Sequence, residues 1–149
     1  MTSIQLPAYA YIPGQNERHP EDAFDLISNT AIAGNSAEQL SHCDAFQAGL
    51  LFLDKGYYWE AHEVLEPVWM LLDAGSVERK FVQGLIQIAN GYLKLRMGKP
   101  KAAKRLVDHA RSLIPDDGSK IIMSLEVSEV SGWIDRLEVN VKKCIIMRN

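Results

Sequence analysis

The sequence predicts an all-α fold, a bundle of antiparallel helical hairpins with about six helices and an extended N-terminal arm. Apolar residues recur at spacings of three and four along most of the chain, and glycine or proline interrupts that pattern between segments. Only one short stretch alternates in the way a strand does. The 149 residues, of which 47% are hydrophobic, suit one globular domain with a core of its own.

The first 19 residues form the predicted arm, and residues 20–149 form the single helical domain. Two prolines and a glycine within the arm prevent a regular element. Because Tyr9, Tyr11 and Ile12 are large and apolar, we expect the arm to lie extended over the surface of the domain.

Each predicted helix is bounded by recognisable start and stop residues. Pro20 and the acids after it favour a helix start, and Gly56 is typical of a helix end. Ser76 is predicted to cap the helix that follows it. The helices are expected over residues 20–31, 38–55, 57–73, 76–97, 99–114 and 127–143.

Residues 116–126 are ambiguous, because Ile121, Met123 and Leu125 alternate as they would in a strand. We interpret this segment as a loop, since no partner strand is evident elsewhere in the chain.

A faint repeat with a spacing of 42 residues relates the segment around Gly49 and Gly56 to the segment around Gly91 and Gly98. Each copy reads as a helix, a glycine turn and a helix, and resembles a tetratricopeptide pair. Two copies are too few for a solenoid, so we interpret them as two packed helical hairpins whose small residues allow close approach.

Composition argues against several classes of protein. A net charge of -3 disfavours a nucleic-acid binder, and no apolar run reaches the roughly 20 residues that span a bilayer. The two cysteines, Cys43 and Cys144, are too few and too far apart for a disulfide framework or a cysteine-rich zinc site. With no visible signal peptide, the chain is expected to be cytoplasmic, with neither nucleic acid nor membrane as a partner.

The most unusual cluster of side chains lies in the helix predicted over 57–73. At about 100° per residue, His62, Glu66 and Trp69 fall within roughly 60° of one another on the helix surface. Trp59 shares that arc. One helix face therefore presents an imidazole and a carboxylate, with the two tryptophans as walls.

Glu63 lies at the margin of this face, and Glu60 points away from it. In the next predicted helix Gln83 and Gln87 belong to a polar stripe, and amides can bond to a carboxylate or an imidazole. If the two helices are antiparallel neighbours, Glu63, Gln83 and Gln87 would contact a ligand or support the His/Glu pair.

Three interpretations of the cluster stay open. It is a buried hydrogen-bonded network, or a divalent metal site with His62 and Glu66 as ligands, or a small-molecule pocket. The metal interpretation lacks a local third ligand. In the pocket interpretation, an enzyme would use His62 as a base oriented by Glu66 for hydrolysis or proton transfer, although the sequence does not settle whether the protein is an enzyme.

The stretch Gly56-Tyr-Tyr-Trp-Glu-Ala-His-Glu-Val-Leu-Glu-Pro-Val-Trp69, followed by Phe81-Val-Gln-Gly-Leu-Ile-Gln-Ile-Ala89, resembles a bacterial and archaeal family, domain of unknown function 309. The motif H-x-x-x-E-x-x-[WY] is met by His62, Glu66 and Trp69, and the resemblance covers about residues 42–110. It implies an all-α bundle of helical hairpins and a motif suspected of metal binding, without an established activity.

The sequence thus predicts a small helical protein with a semi-buried His/Glu site between two helices that binds a metal or a small molecule. The alternative is a tetratricopeptide-like module that binds a protein, in which the cluster is structural. A homodimer formed through helices is a third hypothesis.

Overall fold

The computed structural model describes residues 4–147, which form seven helices and one two-stranded antiparallel hairpin. The helices are α1 (Asp25–Ser28), α2 (Ala37–Ser41), α3 (Asp44–Lys55), α4 (Tyr58–Leu71), α5 (Val77–Arg96), α6 (Pro100–Leu113) and α7 (Val127–Met147), and the strands are β1 (Ile121–Ile122) and β2 (Leu125–Glu126). The predicted all-α fold is confirmed.

Helix α5 lies at the centre of the bundle and packs against α4, α6 and α7. Helices α3 and α4 form one hairpin, and α6 and α7 pack together. Tyr58 at the start of α4 stacks on Tyr92 near the end of α5, while Trp69 near the end of α4 lies beside Arg79 at the start of α5. The two helices are therefore antiparallel, as the hairpin pattern predicts.

Glycines let the helices approach closely at three points. A methyl group added at Gly49 would overlap Leu65, and one at Gly91 would come within 2.6 Å of Leu137. A methyl group at Gly84 would come within 2.5 Å of Ile114. These glycines sit where α3 meets α4 and where α5 meets α7 and the end of α6, so each one sets a helix–helix distance.

Short-range capping fixes several helix ends. The Ser76 hydroxyl accepts a hydrogen bond from the Arg79 amide at 3.1 Å, which confirms the predicted serine cap. Ser36 and Gln39 form a capping box at the start of α2. Gly56 ends α3 with a φ of 87°, a conformation that favours glycine.

Two helix predictions near the N-terminus were wrong in extent. The helix expected over 20–31 is limited to α1, and the turns before it place Phe24 against His19 and Trp59. The helix expected over 38–55 is two helices, because Cys43 is extended and the Thr30 hydroxyl accepts from the Ala45 amide at 2.8 Å. Thr30 thus caps the start of α3 although it lies 15 residues before Ala45 in the sequence, so a local pattern does not reveal the cap.

The loop expected over 116–126 contains the hairpin instead. Ile122 pairs with Leu125, and the two turn residues Met123 and Ser124 have φ values of 52° and 63°. A two-residue turn with both φ values positive suits the twist of a β-hairpin. The sequence prediction considered a partner strand elsewhere in the chain. The partner lies within the same segment, two residues after the first strand.

Helix α7 extends beyond the predicted range of 127–143 to Met147. Its buried stripe includes Val130, Ile134 and Leu137, whereas Trp133 is only partly buried at the edge of the core. Trp133 therefore packs against the core with one side and leaves the other side open to a cleft.

A second, smaller apolar cluster lies beside the main core and beneath the N-terminal arm. Its buried members are Ala48, Phe52, Ala61, Val64 and Ala89. Ile4 and Phe24 pack against it from the N-terminal part of the chain.

In the described part of the chain, no helix combines the length and the apolar character needed to cross a bilayer. Cys43 and Cys144 are both free thiols.

Candidate functional site

His62 and Glu66 lie one turn apart on α4 and contact each other. The distance from Nε2 of His62 to Oε2 of Glu66 is 3.0 Å, and Nδ1 of His62 lies 3.8 Å from Oε1 of Glu63. The side chains of His62 and Glu66 are 29% and 47% exposed. The imidazole is therefore flanked by two carboxylates at the surface of the helix.

The amide stripe of α5 makes different contacts from those expected. The Gln87 amide nitrogen lies 3.2 Å from Nδ1 of His109 on α6, and its oxygen accepts from Asn90. Within residues 4–147, no hydrogen bond joins Gln83 or Gln87 to His62 or Glu66. Gln87 thus links α5 to α6 and not to α4.

The two tryptophans of α4 lie in separate environments. Trp69 packs under the Arg79 guanidinium, at 4.4 Å from its ring centroid, and its indole N–H is buried without a partner among residues 4–147. Trp59 contacts the N-terminal arm, with the Tyr11 ring edge-on at 5.1 Å. No ring contact joins His62 to either tryptophan in that part of the chain.

The most deeply buried polar side chain of α4 is Glu60, which the helical angles directed away from the motif face. Glu60 is fully buried. Its Oε2 accepts two hydrogen bonds, at 2.7 Å from Nε2 of His19 and at 2.8 Å from the Tyr11 amide. Both donors belong to the N-terminal segment, so this carboxylate anchors that segment to α4.

An aromatic shell surrounds this contact. His19 stacks on Tyr9 at 4.5 Å and meets the Phe24 ring edge-on at 5.3 Å. The other carboxylate oxygen of Glu60, Oε1, is buried without a hydrogen-bond partner among residues 4–147. A buried carboxylate needs partners to offset its lost hydration, so the two arm donors carry much of that compensation.

The sequence around Glu60 contains a pattern that indicates its burial. Glu60, Val64 and Val68 follow one another at intervals of four, so the acid continues an apolar row into the core. An acid in such a row indicates a specific donor, because an unpaired buried carboxylate is costly. Its partner His19 is 41 residues away, and no local pattern identifies it.

A cleft of about 280 Å³ opens where the ends of α3 and α5 meet the start of α4 and the middle of α7. Its lining combines aliphatic, aromatic and charged side chains: Leu50, Leu53, Asp54, Tyr58, Ile88, Tyr92, Trp133 and Arg136. Two other depressions are larger, at about 500 and 400 Å³, but they are more open to solvent and have no aromatic wall. Among these three depressions, this cleft is the one that combines aromatic, aliphatic and charged side chains.

One wall of the cleft is a stacked tyrosine pair. The rings of Tyr58 and Tyr92 lie 4.8 Å apart with an interplanar angle of 10°. Burial raises the pKa of Tyr92, and Tyr58 raises it further, while Arg136 and Asn140 act in the opposite direction. Tyr92 therefore keeps its phenolic proton at neutral pH and can donate a hydrogen bond.

The N-terminal arm reaches the edge of the same region. The Gln15 side chain donates to the Arg96 carbonyl at the end of α5, and the Arg96 guanidinium lies 5.3 Å from the Tyr58 ring centroid. Tyr58 faces the cleft, whereas its neighbours Trp59 and Glu60 hold the arm. The first turn of α4 thus contacts the arm and the cleft at once.

Residues of the cleft that the motif search missed come from several helices. Asp54, Tyr92, Trp133 and Arg136 were not predicted as site residues. The available signal was weak: Trp133 and Arg136 are three apart on α7 and share a face. Only the fold brings that face next to Tyr58.

A metal site with three or more protein ligands is not formed by the described residues. No group of three or more histidine, cysteine, aspartate or glutamate side chains among residues 4–147 is placed to hold an ion. His62 and Glu66 supply two ligands, fewer than the three or four that protein zinc sites provide.

Comparisons with known proteins agree with the motif. No curated protein and no solved structure matches the chain. Residues 46–106 match the family model described as Domain of unknown function (DUF309). The matched range runs from α3 into α6 and includes His62, Glu66 and Trp69. The predicted resemblance is therefore confirmed over residues 46–106.

Proposed function

We propose that this protein binds a small organic molecule with a planar apolar body in the cleft between α3, α4, α5 and α7. The observation that carries the proposal is the composition of the cleft wall. Leu50, Leu53 and Ile88 supply an apolar floor, and Tyr92 and Trp133 supply flat aromatic surfaces. Pockets for small molecules combine apolar and aromatic linings with a few placed polar groups.

The size of the cleft supports a ligand of fragment size. Its volume of about 280 Å³ lies just below the usual range for pockets that take drug-sized molecules. One aromatic ring with a short polar chain would fill it. The cleft uses side chains from residues 46–106, which match the DUF309 model, and from α7, which lies outside the matched range.

A fragment screen by ligand-detected NMR tests the proposal. The wild type should bind planar aromatic fragments, and Leu50→Phe should weaken that binding because the larger side chain occupies the cleft. Leu26→Phe is the matched control, since Leu26 is 90% exposed and lies outside the cleft. Equal binding by wild type and Leu50→Phe would place the fragments elsewhere and overturn the proposal.

The metal hypothesis for His62 and Glu66 has its own measurement. With two ligands we expect clearly less than one metal per chain by plasma mass spectrometry of untagged, unchelated protein. His62→Ala should cost only about 0.2–0.5 kcal/mol of stability, as exposed pairs one turn apart do. Stoichiometric metal that is lost in a folded His62→Ala variant would establish a metal centre instead.

The protein-binding hypothesis predicts a different outcome of the same experiments. A module of that kind would bind no fragment in the cleft and would associate through exposed apolar side chains. Sedimentation velocity over a range of protein concentrations measures self-association directly. Fragment binding in the cleft by a monomer supports the small-molecule function and opposes the module.

A further inference from the structure

We propose that the ligand of the cleft is an aromatic zwitterion, a molecule of the aromatic α-amino acid class, whose carboxylate is held by Arg136 and whose ammonium is held by Asp54. This inference rests on the proposed function and names its ligand class. It starts from the two charged residues that line the cleft.

The two opposite charges share one cleft but do not neutralise each other. No ion pair within 4.0 Å joins Asp54 to Arg136. Arg136 has no carboxylate partner among residues 4–147, although Arg111 on the neighbouring helix has two. The guanidinium is therefore free to take a carboxylate in the bidentate geometry that suits it.

The Asp54 carboxylate is also largely free of ion-pair partners. Its one ion contact among residues 4–147 is with Lys55, the next residue, at 3.8 Å, and both side chains are more than half exposed. An exposed contact of that length contributes little and is easily exchanged. A primary ammonium entering the cleft would find a carboxylate available at its mouth.

The remaining walls of the cleft would contact the side chain of the ligand, beyond the carbon that carries its two charges. Tyr92 and Trp133 offer flat faces, and Leu50, Leu53 and Ile88 close the floor. An aromatic ring there would gain apolar burial and ring–ring contact, which together favour an aromatic over an aliphatic side chain. The phenol of Tyr92, which lines the cleft together with Arg136, supplies one further donor for a carboxylate oxygen.

Four related probes separate the contributions of the two charges. They are L-phenylalanine, N-acetyl-L-phenylalanine without the ammonium, phenethylamine without the carboxylate, and N-acetyl-L-phenylalaninamide without either. Binding is followed by selective tryptophan fluorescence and by calorimetry. We expect phenylalanine to bind most tightly and each loss of a charge to weaken binding about tenfold.

Substitutions assign each charge to its partner. Asp54→Asn should weaken the binding of phenylalanine and phenethylamine about tenfold and leave the affinity for N-acetyl-phenylalanine unchanged. Arg136→Gln should weaken the binding of phenylalanine and N-acetyl-phenylalanine and leave the affinity for phenethylamine unchanged. Asp116→Asn and Arg105→Gln change the same charges outside the cleft and should alter no affinity.

The outcomes distinguish this inference from the proposed function. If all four probes bind alike and neither Asp54→Asn nor Arg136→Gln matters, while Leu50→Phe still blocks binding, the ligand class is wrong and the cleft is a binding site. If none of the four probes binds but aromatic fragments do, the ligand class is again overturned. If no fragment binds either, the proposed function itself fails.

Discussion

Glu60 shows how one side chain can be misplaced by helical geometry alone. Helical geometry correctly separates Glu60 from His62 and Glu66 around the axis of α4. The opposite face of α4, where Glu60 lies, packs against the apolar core and the arm. There it accepts from His19 and from the Tyr11 amide. The burial of this carboxylate is a tertiary property, because both of its donors come from a distant part of the chain.

Replacing Glu60 by glutamine, Glu60→Gln, tests whether the buried carboxylate anchors the arm. We expect a loss of about 1–3 kcal/mol in the free energy of unfolding, because the neutral amide weakens two charge-assisted hydrogen bonds and buries an unpaired donor. We also expect faster tryptic cleavage at Arg18, since the arm loses its anchor. Urea unfolding and timed proteolysis measure both effects.

Glu63→Gln is the matched control for that experiment. Glu63 lies on the same helix, but its side chain is 36% exposed, and its one ion pair among residues 4–147 is with His62, at 3.8 Å. Its stability should change by less than about 0.5 kcal/mol. A Glu60→Gln variant as stable and as resistant to trypsin as Glu63→Gln would show that the buried carboxylate does not hold the arm.

Tyr92 gives a prediction about alkaline pH. Burial and Tyr58 raise its pKa above the ordinary value of 10.0 in the folded state. The folded protein therefore holds this proton to a higher pH than the unfolded chain does. The resulting stability is fully present below about pH 10 and falls as pH rises through the folded pKa.

Tyr92→Phe removes this titration, so its unfolding free energy should decline less steeply than that of the wild type above about pH 10. Urea unfolding of both proteins at a series of pH values measures the difference in slope. Parallel curves across that range would mean that Tyr92 is not a source of the alkaline dependence.

At the scale of the elements, glycines decide how closely the helices pack. Gly91→Ala places a methyl group 2.6 Å from Leu137, so α5 and α7 must separate or Leu137 must move. Such overpacking typically costs 1–3 kcal/mol. We expect a loss of that order, about 1–3 kcal/mol, in thermal or urea unfolding.

Gly132→Ala on α7 is the opposite case, because no atom lies within 4 Å of the added methyl group. Replacing this helical glycine should stabilise the protein by about 0.5–1 kcal/mol. If both alanine variants shifted stability in the same direction, the close contact between Gly91 and Leu137 would not limit the packing of these helices.

Element boundaries were predicted well where local chemistry sets them. Ser76, Gly56 and Pro100 act within one turn of the helix end they define, and α4, α5 and α6 begin close to their predicted positions. The break between α2 and α3 was missed because the cap on Ala45 comes from Thr30. Long-range capping leaves no periodic trace in the sequence.

At the scale of the whole molecule, α5 is the element around which the rest is arranged. It carries nine buried residues and packs against α4, α6 and α7. Amides in such a position open only when the whole domain unfolds. The amides of Leu85 to Leu93 should therefore exchange hydrogen most slowly, at rates close to global unfolding.

Hydrogen exchange measured by NMR or mass spectrometry at two denaturant concentrations checks this. The amide of Tyr11 bonds to Glu60 but belongs to the arm, so it should exchange by a smaller, local opening. Slower exchange in α7 than in α5 would show that the centre of stability lies in the α6–α7 pair instead.

The sequence alone determined the helical class, the approximate course of α4 to α7, the contact between His62 and Glu66 and the resemblance to DUF309. All of these rest on residues that are close in the chain, where helical periodicity, capping and motif spacing act. The tertiary structure decided that Glu60 is buried beneath the arm, that Gln87 contacts His109 and that Tyr58, Tyr92, Trp133 and Arg136 line one cleft. Those contacts join residues from separate helices, and their geometry follows from how the helices pack and not from the order of residues within any one of them.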